Sequence, residues 1–166
     1  DFNKGTCVGG LVGESEKGLI INSSVEAKTV GKEKNGTTRI GGLVGYSNET
    51  FIDSSSVKVT DKIIAKGAFL GGLVGRNYLG IIKNSHSTVS KIVSDITADL
   101  SSNPKGCPYY NSAGGLVGEN YRGKIFGSRA LTEESIKGEK FIGGLVGRNS
   151  GHIYNSYASV KNIEAS

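Results

Sequence analysis

Short apolar runs alternate with glycine and polar residues along the whole chain, and no segment keeps the 3.6-residue apolar spacing of an amphipathic helix. The most regular run is the pentapeptide GGLVG. It occurs five times, with its first glycine at positions 9, 41, 71, 114 and 143, so the spacings are 32, 30, 43 and 29 residues. Self-similarity at a period of about 20–50 residues is typical of repeat architectures, and we therefore expect stacked units.

Two further segments follow each pentapeptide. The first is a polar turn, a short apolar pair and then Asn-Ser or a relative, as in "RNYLGIIKNS", with copies two and five one residue shorter. The second alternates Val and Ile with Lys, Glu and Ser, which indicates a strand with one wet face. We predict an all-β fold: a parallel β-helix or β-solenoid of about five three-sided coils of about 30 residues, with one insertion near residues 95–112.

Parallel stacking about 4.8 Å apart places equivalent residues of successive coils above one another, in columns. The sequence supplies three apolar columns and one polar corner column, and Gly127 interrupts the corner. The columns are Val8, Ile40, Leu70, Ala113 and Ile142; Leu11, Leu43, Leu73, Leu116 and Leu145; Val12, Val44, Val74, Val117 and Val146; and, at the corner, Asn22, Asp53, Asn84 and Asn155.

The residue after each pentapeptide forms one more column, which is charged. It reads Glu14, Tyr46, Arg76, Glu119 and Arg148, and the last three alternate in sign, which favours contact across coils. Copy four departs most from the repeat pattern, because Gly127 stands where Asn is expected and Ala113 is small. We expect the insertion to distort the stack there.

Repeated glycine can indicate a phosphate-binding loop, but the context excludes it here. Such a loop needs a strand-to-helix turn with GxGxxG or a following GK[ST], and neither occurs. Five such loops at one period would also serve no purpose. We interpret the glycines as positions where backbones bend or approach closely, beside interior Leu and Val.

The unit GGLVG-x-N-x-G-x-I-x-NS resembles the GLUG repeat, most closely at Gly143–Val160, "GGLVGRNSGHIYNSYASV". The resemblance covers nearly all of the chain except the insertion. It implies a single repeat segment over residues 1–166, cut from a larger extracellular or cell-surface bacterial protein. GLUG repeats occur in bacterial adhesins and in the non-catalytic N-terminal regions of secreted immunoglobulin A1-cleaving zinc metallopeptidases. We therefore expect a structural or adhesion module, or alternatively a substrate-positioning region of such a peptidase.

The charge pattern, the apolar runs and the cysteines limit the classes of partner and cross-link that we expect for this chain. The net charge is +5 and the sequence pI about 9.2, but the lysines are scattered among Asp and Glu, with no interleaved aromatic residues. This pattern argues against a nucleic-acid partner. No apolar run of about 18 residues occurs, so we expect no membrane span in this segment. Cys7 and Cys107 lie three coils apart, which disfavours a disulfide between them.

Candidate chemistry is sparse, and we expect no catalytic residue, cofactor or metal in this segment. His86 and His152 are not part of HExxH, and no GxSxG elbow occurs. A carbohydrate-active enzyme on a β-helix would need clustered carboxylates, and the nearest approach to that is Glu133–Glu134.

The insertion is the best candidate for a recognition site. Its segment "NPKGCPYYNS" contains both prolines of the chain and two adjacent tyrosines. Loops that interrupt a solenoid often bind partners, and exposed tyrosines are common at interfaces. We predict that Lys105, Tyr109 and Tyr110 contact a host or surface glycoprotein or protein, while flanking repeats or domains of the same parent chain cover the ends. The alternative is that the tyrosines cover the insertion's own small core.

Overall fold

The computed structural model describes residues 6–32, 38–65, 68–94 and 111–165, and it contains twenty short strands and no helix over these ranges. The strands form four parallel five-stranded sheets. Each strand of the three inner coils pairs with the strand four positions earlier and the strand four positions later in the chain, so every coil contributes one strand to every sheet. The parallel β-solenoid of five coils is thereby confirmed.

The first two sheets come from residues on either side of the GG pair. Sheet 1 consists of β1 (Thr6–Gly9), β5 (Thr38–Gly41), β9 (Ala68–Gly71), β13 (Ser112–Gly114) and β17 (Phe141–Gly143). Sheet 2 consists of β2 (Val12–Glu16), β6 (Val44–Asn48), β10 (Val74–Tyr78), β14 (Val117–Tyr121) and β18 (Val146–Asn149).

The other two sheets come from the apolar pair and from the alternating segment. Sheet 3 consists of β3 (Leu19–Ile21), β7 (Phe51–Asp53), β11 (Ile81–Lys83), β15 (Lys124–Phe126) and β19 (His152–Tyr154). Sheet 4 consists of β4 (Ser24–Gly31), β8 (Ser56–Ala65), β12 (His86–Ser94), β16 (Arg129–Gly138) and β20 (Tyr157–Ala165).

Each coil has four strands rather than the expected three, because the pentapeptide is itself a corner. The first glycine of the pentapeptide ends one strand and its valine begins the next, as at Gly71 and Val74. A side chain on Gly71 would run into the carbonyl oxygen of Val74, so this turn is too tight for any other residue. A side chain on Gly72 would strike the carbonyl oxygen of Gly115 in the next coil.

The last glycine of the pentapeptide packs against the preceding coil. A Cβ on Gly75 would lie 2.6 Å from the carbonyl oxygen of Gly45 and 2.6 Å from the amide nitrogen of Ile40. The three glycines therefore meet their own turn, the next coil and the previous coil, respectively. This is the packing function that we inferred for the repeated glycines.

The apolar columns form the core in the predicted register. Val8 pairs with Ile40, which pairs with Leu70, and the valines of the third column pair in the same way. Ile52, Ile82 and Ile125, the central residues of sheet 3, add a further fully buried column. One cluster of buried aliphatic residues therefore runs along the axis of the stack.

Serines, rather than the preceding asparagines, hold the corner between sheets 3 and 4. The serines are Ser23, Ser55, Ser85, Ser128 and Ser156. The backbone amide of each serine donates to the hydroxyl oxygen of the next, as from Ser85 to Ser128 at 3.2 Å. Each hydroxyl donates to the carbonyl oxygen two residues earlier, as from Ser85 to Lys83 at 2.7 Å. One hydroxyl per coil thus satisfies two backbone groups.

The residue before each serine has a left-handed backbone, and this corrects the predicted corner column. Asn22, Ser54, Asn84, Gly127 and Asn155 occupy it, with φ between 46° and 52°. Asp53 lies one residue earlier and pairs with Ile21 and Lys83, so copy two has no shortened turn, whereas copy five does. Glycine is the residue that adopts a positive φ most easily, so Gly127 continues the column instead of breaking it.

A second left-handed column precedes sheet 3. Lys17, Glu49, Leu79 and Arg122 have φ between 49° and 55°, and all four are exposed. None is a residue that favours this conformation, and each costs about 1 kcal/mol. The amides of Lys17, Glu49 and Leu79 bond across coils, as from Leu79 to the Tyr121 carbonyl oxygen at 2.9 Å, which offsets that cost.

The expected distortion at copy four is absent from the described strands. Leu70 pairs with Ala113 and Gly71 with Gly114, so the register continues across residues 95–110, which lie outside the described residues. The extra residues fall between β12 and β13, and hence no ladder has to accommodate them.

Candidate functional site

The sequence-predicted site lies outside the described residues. Lys105, Tyr109 and Tyr110 fall in residues 95–110, as does Cys107. Their contact with a partner therefore stays a prediction. Cys7 lies on the outward side of sheet 1, and its sulfur is 3.6 Å from Nη1 of Arg39 in the next coil.

A pair of arginines on the outward side of sheet 2 shares one buried carboxylate. Glu119 is the central member of the charged column, with its side chain only 2% exposed. Nε of Arg76 lies 2.6 Å from Oε2 of Glu119, and Nη1 of Arg148 lies 2.9 Å from Oε1. The predicted contact across coils between alternating charges is confirmed: Glu119 forms ion pairs with both arginines and accepts a hydrogen bond from Arg148.

Two tyrosines stack beside this ion-pair network. Tyr78 and Tyr121 are neighbours in sheet 2, and their rings are parallel within 3° with centroids 5.3 Å apart. The guanidinium carbon of Arg76 lies 5.9 Å from the centroid of Tyr78 and 5.8 Å from that of Tyr121. Arg122, in the exposed left-handed turn, lies 5.4 Å from the centroid of Tyr121.

These side chains define the arginine–tyrosine surface: Arg76, Tyr78, Glu119, Tyr121, Arg122 and Arg148. It carries three guanidinium groups and one carboxylate, a net charge of +2. Arg76 and Arg148 retain 20% and 35% side-chain exposure. The planar guanidinium group of arginine forms bidentate hydrogen bonds with carboxylates, sulfates and phosphates. A tyrosine ring offers a flat apolar face and a polar hydroxyl. The arrangement therefore suits an anionic ligand that also has an apolar face.

Contacts between arginine and aromatic side chains continue from sheet 2 onto the neighbouring strands of sheet 1. Arg39 is 5% exposed and lies 4.6 Å from the ring centroid of Tyr46. Phe69 pairs with Arg39 and lies 5.4 Å from the guanidinium of Arg76. Burial raises the pKa of the Tyr46 phenol, although Arg76 and Arg39 oppose the effect. These residues pack beside the arginine–tyrosine surface, which they contact through Phe69 and Arg76.

The residues considered for catalysis lie elsewhere and are engaged in other contacts. Glu134 is exposed and pairs with Lys91 at 2.8 Å, and bonds to Lys91 and Ser90 lower the pKa of its carboxyl. A lowered pKa suits a permanent anion rather than a proton donor. His86 lies in sheet 4, where burial and then Arg129 lower its pKa.

Over the described ranges, no three His, Cys, Asp or Glu side chains are grouped as a metal site would require. None of the described segments is an apolar helix with the length needed to cross a bilayer.

Sheet 4 is a solvated face whose charges pair between coils. Lys58 pairs with Glu26 at 2.9 Å, and Lys137 with Glu164 at 2.7 Å, all of them well exposed. The bond to Glu26 raises the pKa of the Lys58 amine. Such exposed pairs contribute little to stability, and they leave sheet 4 with no concentration of one charge.

The sequence did contain a signal for the tyrosine stack. Tyr78 and Tyr121 both stand three residues after the last glycine of their pentapeptides, in "GRNY" and "GENY". Equal offsets in adjacent coils predict stacking. The contribution of Arg122 had no such signal, because it depends on the turn conformation.

Comparison with known proteins agrees with this architecture. A family model described as the GLUG motif matches residues 4–31, 70–93 and 142–164, within coils one, three and five. Coils two and four have the same four strands in the same register. No curated protein and no solved structure matches the chain. With three matches on one continuous set of ladders, the chain is a GLUG-repeat protein.

Proposed function

We propose that this chain is a non-catalytic adhesion module of a secreted or surface-exposed bacterial protein, and that it binds acidic groups of a host or surface glycoprotein. The observation that carries this proposal is the arginine–tyrosine surface. Arg76 and Arg148 are held by the buried carboxylate of Glu119, and the Tyr78–Tyr121 pair stands beside them. A site that is ordered before binding loses less conformational entropy when the ligand arrives.

The scaffold supports a binding role rather than catalysis. Its interior columns are filled by aliphatic side chains, and its polar ladders bond within the stack. Glu134, the carboxylate with the lowered pKa, lies on sheet 4 and forms an ion pair there with Lys91. Arg76, Tyr78 and Tyr121 remain partly accessible on β10 and β14 of sheet 2, and arginine and tyrosine are among the residues enriched at binding hot spots.

The test is binding of the 166-residue chain to a sialylated mucin, measured by surface plasmon resonance before and after sialidase treatment of the mucin. We expect binding that falls after treatment and weakens as salt rises, since acidic groups are recognised. Equal binding to both preparations would contradict recognition of the acidic groups.

A matched pair of variants separates this surface from general positive charge. Arg122→Gln and Lys124→Gln each remove one exposed positive charge, two residues apart, but only Arg122 lies over Tyr121. We expect Arg122→Gln to weaken binding roughly threefold to tenfold, as loss of one cation–π and ionic contact implies, and Lys124→Gln to leave it nearly unchanged. Equal losses would indicate nonspecific attraction.

The resemblance leaves a second role open for the same surface, as the substrate-positioning region of an immunoglobulin A1-cleaving zinc metallopeptidase. Sequencing the parent polypeptide beyond Ser166 distinguishes the two roles. An HExxH motif downstream would support the peptidase, whereas further repeats followed by an anchor would support an adhesin.

A further inference from the structure

At the arginine–tyrosine surface, the same arrangement of an arginine and a phenylalanine occurs twice. In coil three, the ring centroid of Phe69 on sheet 1 lies 5.4 Å from the guanidinium carbon of Arg76 on sheet 2. In coil five, the ring centroid of Phe141 lies 5.6 Å from the guanidinium carbon of Arg148. Both phenylalanines pair with Ser112 of coil four, so the two arrangements occupy equivalent positions. The surface therefore has two equivalent sub-sites, one in coil three and one in coil five.

The two sub-sites lie two coils apart along the axis of the stack. Arg76 and Arg148 both pair with Glu119 in the parallel ladder of sheet 2. Since neighbouring strands are about 4.8 Å apart, the backbones of the two arginines are about 10 Å apart. The side chain of Glu119 between them is 2% exposed, whereas those of the arginines are 20% and 35% exposed. An anion that approaches this surface therefore meets two cations with no exposed carboxylate between them.

The neighbours of each arginine determine the direction in which a ligand with several charges can lie. Within coil three, Arg76 is flanked by Phe69 and Tyr78, neither of which is positively charged. The next arginine of the same column is Arg148, along the axis. The stacked rings of Tyr78 and Tyr121 follow the same direction in the adjacent column, and their hydroxyls can donate and accept hydrogen bonds. A ligand that contacts both sub-sites must therefore lie along the axis, beside the tyrosines.

A linear acidic polysaccharide matches this spacing. A β-linked pyranose extends a sugar chain by about the rise of one coil, so acidic groups on every second sugar recur at the distance between the sub-sites. The uncharged sugar between them would face the covered carboxylate of Glu119 without repulsion. We propose that the chain binds a linear polysaccharide with an acidic group on every second sugar, which lies along the axis of the stack. This specificity rests on the function proposed above, because it names the class of glycan that the same surface takes.

The column of arginines does not continue into coils one and two. Tyr46 occupies the equivalent position in coil two, and Glu14 occupies it in coil one, where it is exposed. Glu14 lies two coils from Arg76, which is the position that a third sub-site would need, but its charge has the wrong sign. We therefore expect the described coils to bind two acidic groups of one ligand.

Hyaluronan oligosaccharides of defined length test the spacing, since hyaluronan has one carboxylate on every second sugar. Binding is measured by nuclear magnetic resonance titration of the isotope-labelled 166-residue chain. We expect the four-sugar ligand to bind about tenfold more tightly than the two-sugar ligand, because its second carboxylate reaches the second arginine. The six-sugar ligand should gain no more than about twofold over the four-sugar ligand, since no third sub-site exists. An equal gain with every added carboxylate would overturn the proposal.

Oligogalacturonate of three sugars separates spacing from total charge, because it has a carboxylate on every sugar. If spacing decides, it should bind more weakly than the four-sugar hyaluronan ligand, although it has one more carboxylate. Its middle carboxylate would lie over Glu119, where no cation of the column faces it. Tighter binding of the galacturonate ligand would indicate that charge alone matters and would contradict the proposed arrangement.

Glu14→Arg tests the register from the side of the protein. This variant adds a third arginine to the column, two coils from Arg76. We expect the six-sugar hyaluronan ligand then to bind about threefold to tenfold more tightly than the four-sugar ligand. Glu133→Arg is the matched control, because it makes the same change of charge at an exposed position of sheet 4. The same dependence on ligand length in both variants would refute the predicted register.

Two outcomes distinguish a failure of the spacing from a failure of the proposed function. If neither the sialylated mucin nor any acidic oligosaccharide binds, both proposals are wrong. If mucin binding falls after sialidase treatment but hyaluronan affinity does not depend on length, recognition of acidic groups stands and the axial polysaccharide is wrong.

Discussion

Replacing the last glycine of a pentapeptide with alanine should destabilise the protein when the glycine lies in an inner coil, and should have little effect in coil one. At Gly75, the added Cβ would lie 2.6 Å from two backbone atoms of coil two, which is 0.8 Å short of the 3.4 Å of ordinary contact. At Gly13, the equivalent position in coil one, the nearest atom is the carbonyl oxygen of Cys7 at 3.0 Å. The two sites share their sequence, but among the described residues only Gly75 has the backbone of a preceding coil against it.

The magnitude follows from the atoms that must move. The neighbours of Gly75 belong to the backbones of β5 and β6, so relief requires two hydrogen-bonded strands to shift together. Overpacking of this kind costs about 1–3 kcal/mol, and two backbone clashes argue for the upper end. The lower entropy of an unfolded alanine returns about 0.4–1 kcal/mol. We therefore expect a net loss of about 2 kcal/mol at Gly75 and about 0–1 kcal/mol at Gly13.

Urea unfolding followed by far-ultraviolet circular dichroism measures the difference, and hydrogen exchange locates it. Gly75→Ala should lower the unfolding midpoint and reduce amide protection in β5, β6 and β10. Gly13→Ala should leave protection of those strands unchanged. Equal losses of stability in the two variants, within about 0.5 kcal/mol, would refute the idea that close approach between coils requires this glycine.

Four other changes test the ladders and turns. Asn120→Ala removes three hydrogen bonds, two of them fully buried, and should cost about 2–3 kcal/mol in urea unfolding, whereas Asn149→Ala, at the exposed end of that ladder, should cost less than half as much. Glu119→Gln should cost about 2 kcal/mol, since two partly exposed arginines lose their charged partner, and a neutral effect would contradict the network. Leu79→Asn should raise the midpoint by relieving about 0.5–1 kcal/mol of left-handed strain, and no gain would indicate that the leucine contacts matter more. The pKa of His86 is lowered in the folded state, so folding loses stability as pH falls below about 6.5, and His86→Gln should flatten that dependence in pH-dependent melting.

The asparagines of sheet 2 show what the sequence analysis missed inside the stack. Asn77 donates to Asn120 at 2.9 Å, and Asn120 donates to Asn149 at 2.8 Å, in a ladder that is buried at Asn77 and Asn120 and exposed at Asn149. Each also bonds the carbonyl oxygen of the turn glycine, as Asn120 does to Gly123 at 3.2 Å. The spacing of these asparagines can be read from the sequence, but their burial cannot. Inward- and outward-facing residues alternate along a strand, and the spacing does not show which set faces inward.

Much of the fold could be predicted because identical residues recur at matching positions. Five identical pentapeptides define the register of Leu and Val columns without any knowledge of backbone angles. The corner column was misplaced at Asp53 because Asp resembles Asn, whereas counting from the last glycine leads to Ser54. Its left-handed φ depends on position in the coil rather than on side-chain identity, which explains why Ser54 and Gly127 share it.

The arginine–tyrosine surface lies at positions where equivalent residues of successive coils differ. Interior columns must be nearly uniform, since each residue packs on its own equivalents one coil away. The outward column that reads Glu14, Tyr46, Arg76, Glu119 and Arg148 has no such constraint and changes at every coil. Its variation is ordered, because opposite charges meet where a carboxylate is buried and an arginine meets an aromatic ring where one is available. Uniform columns thus build the scaffold and varied columns give it specificity, so a search for function in other proteins of this kind should begin at positions where neighbouring coils disagree.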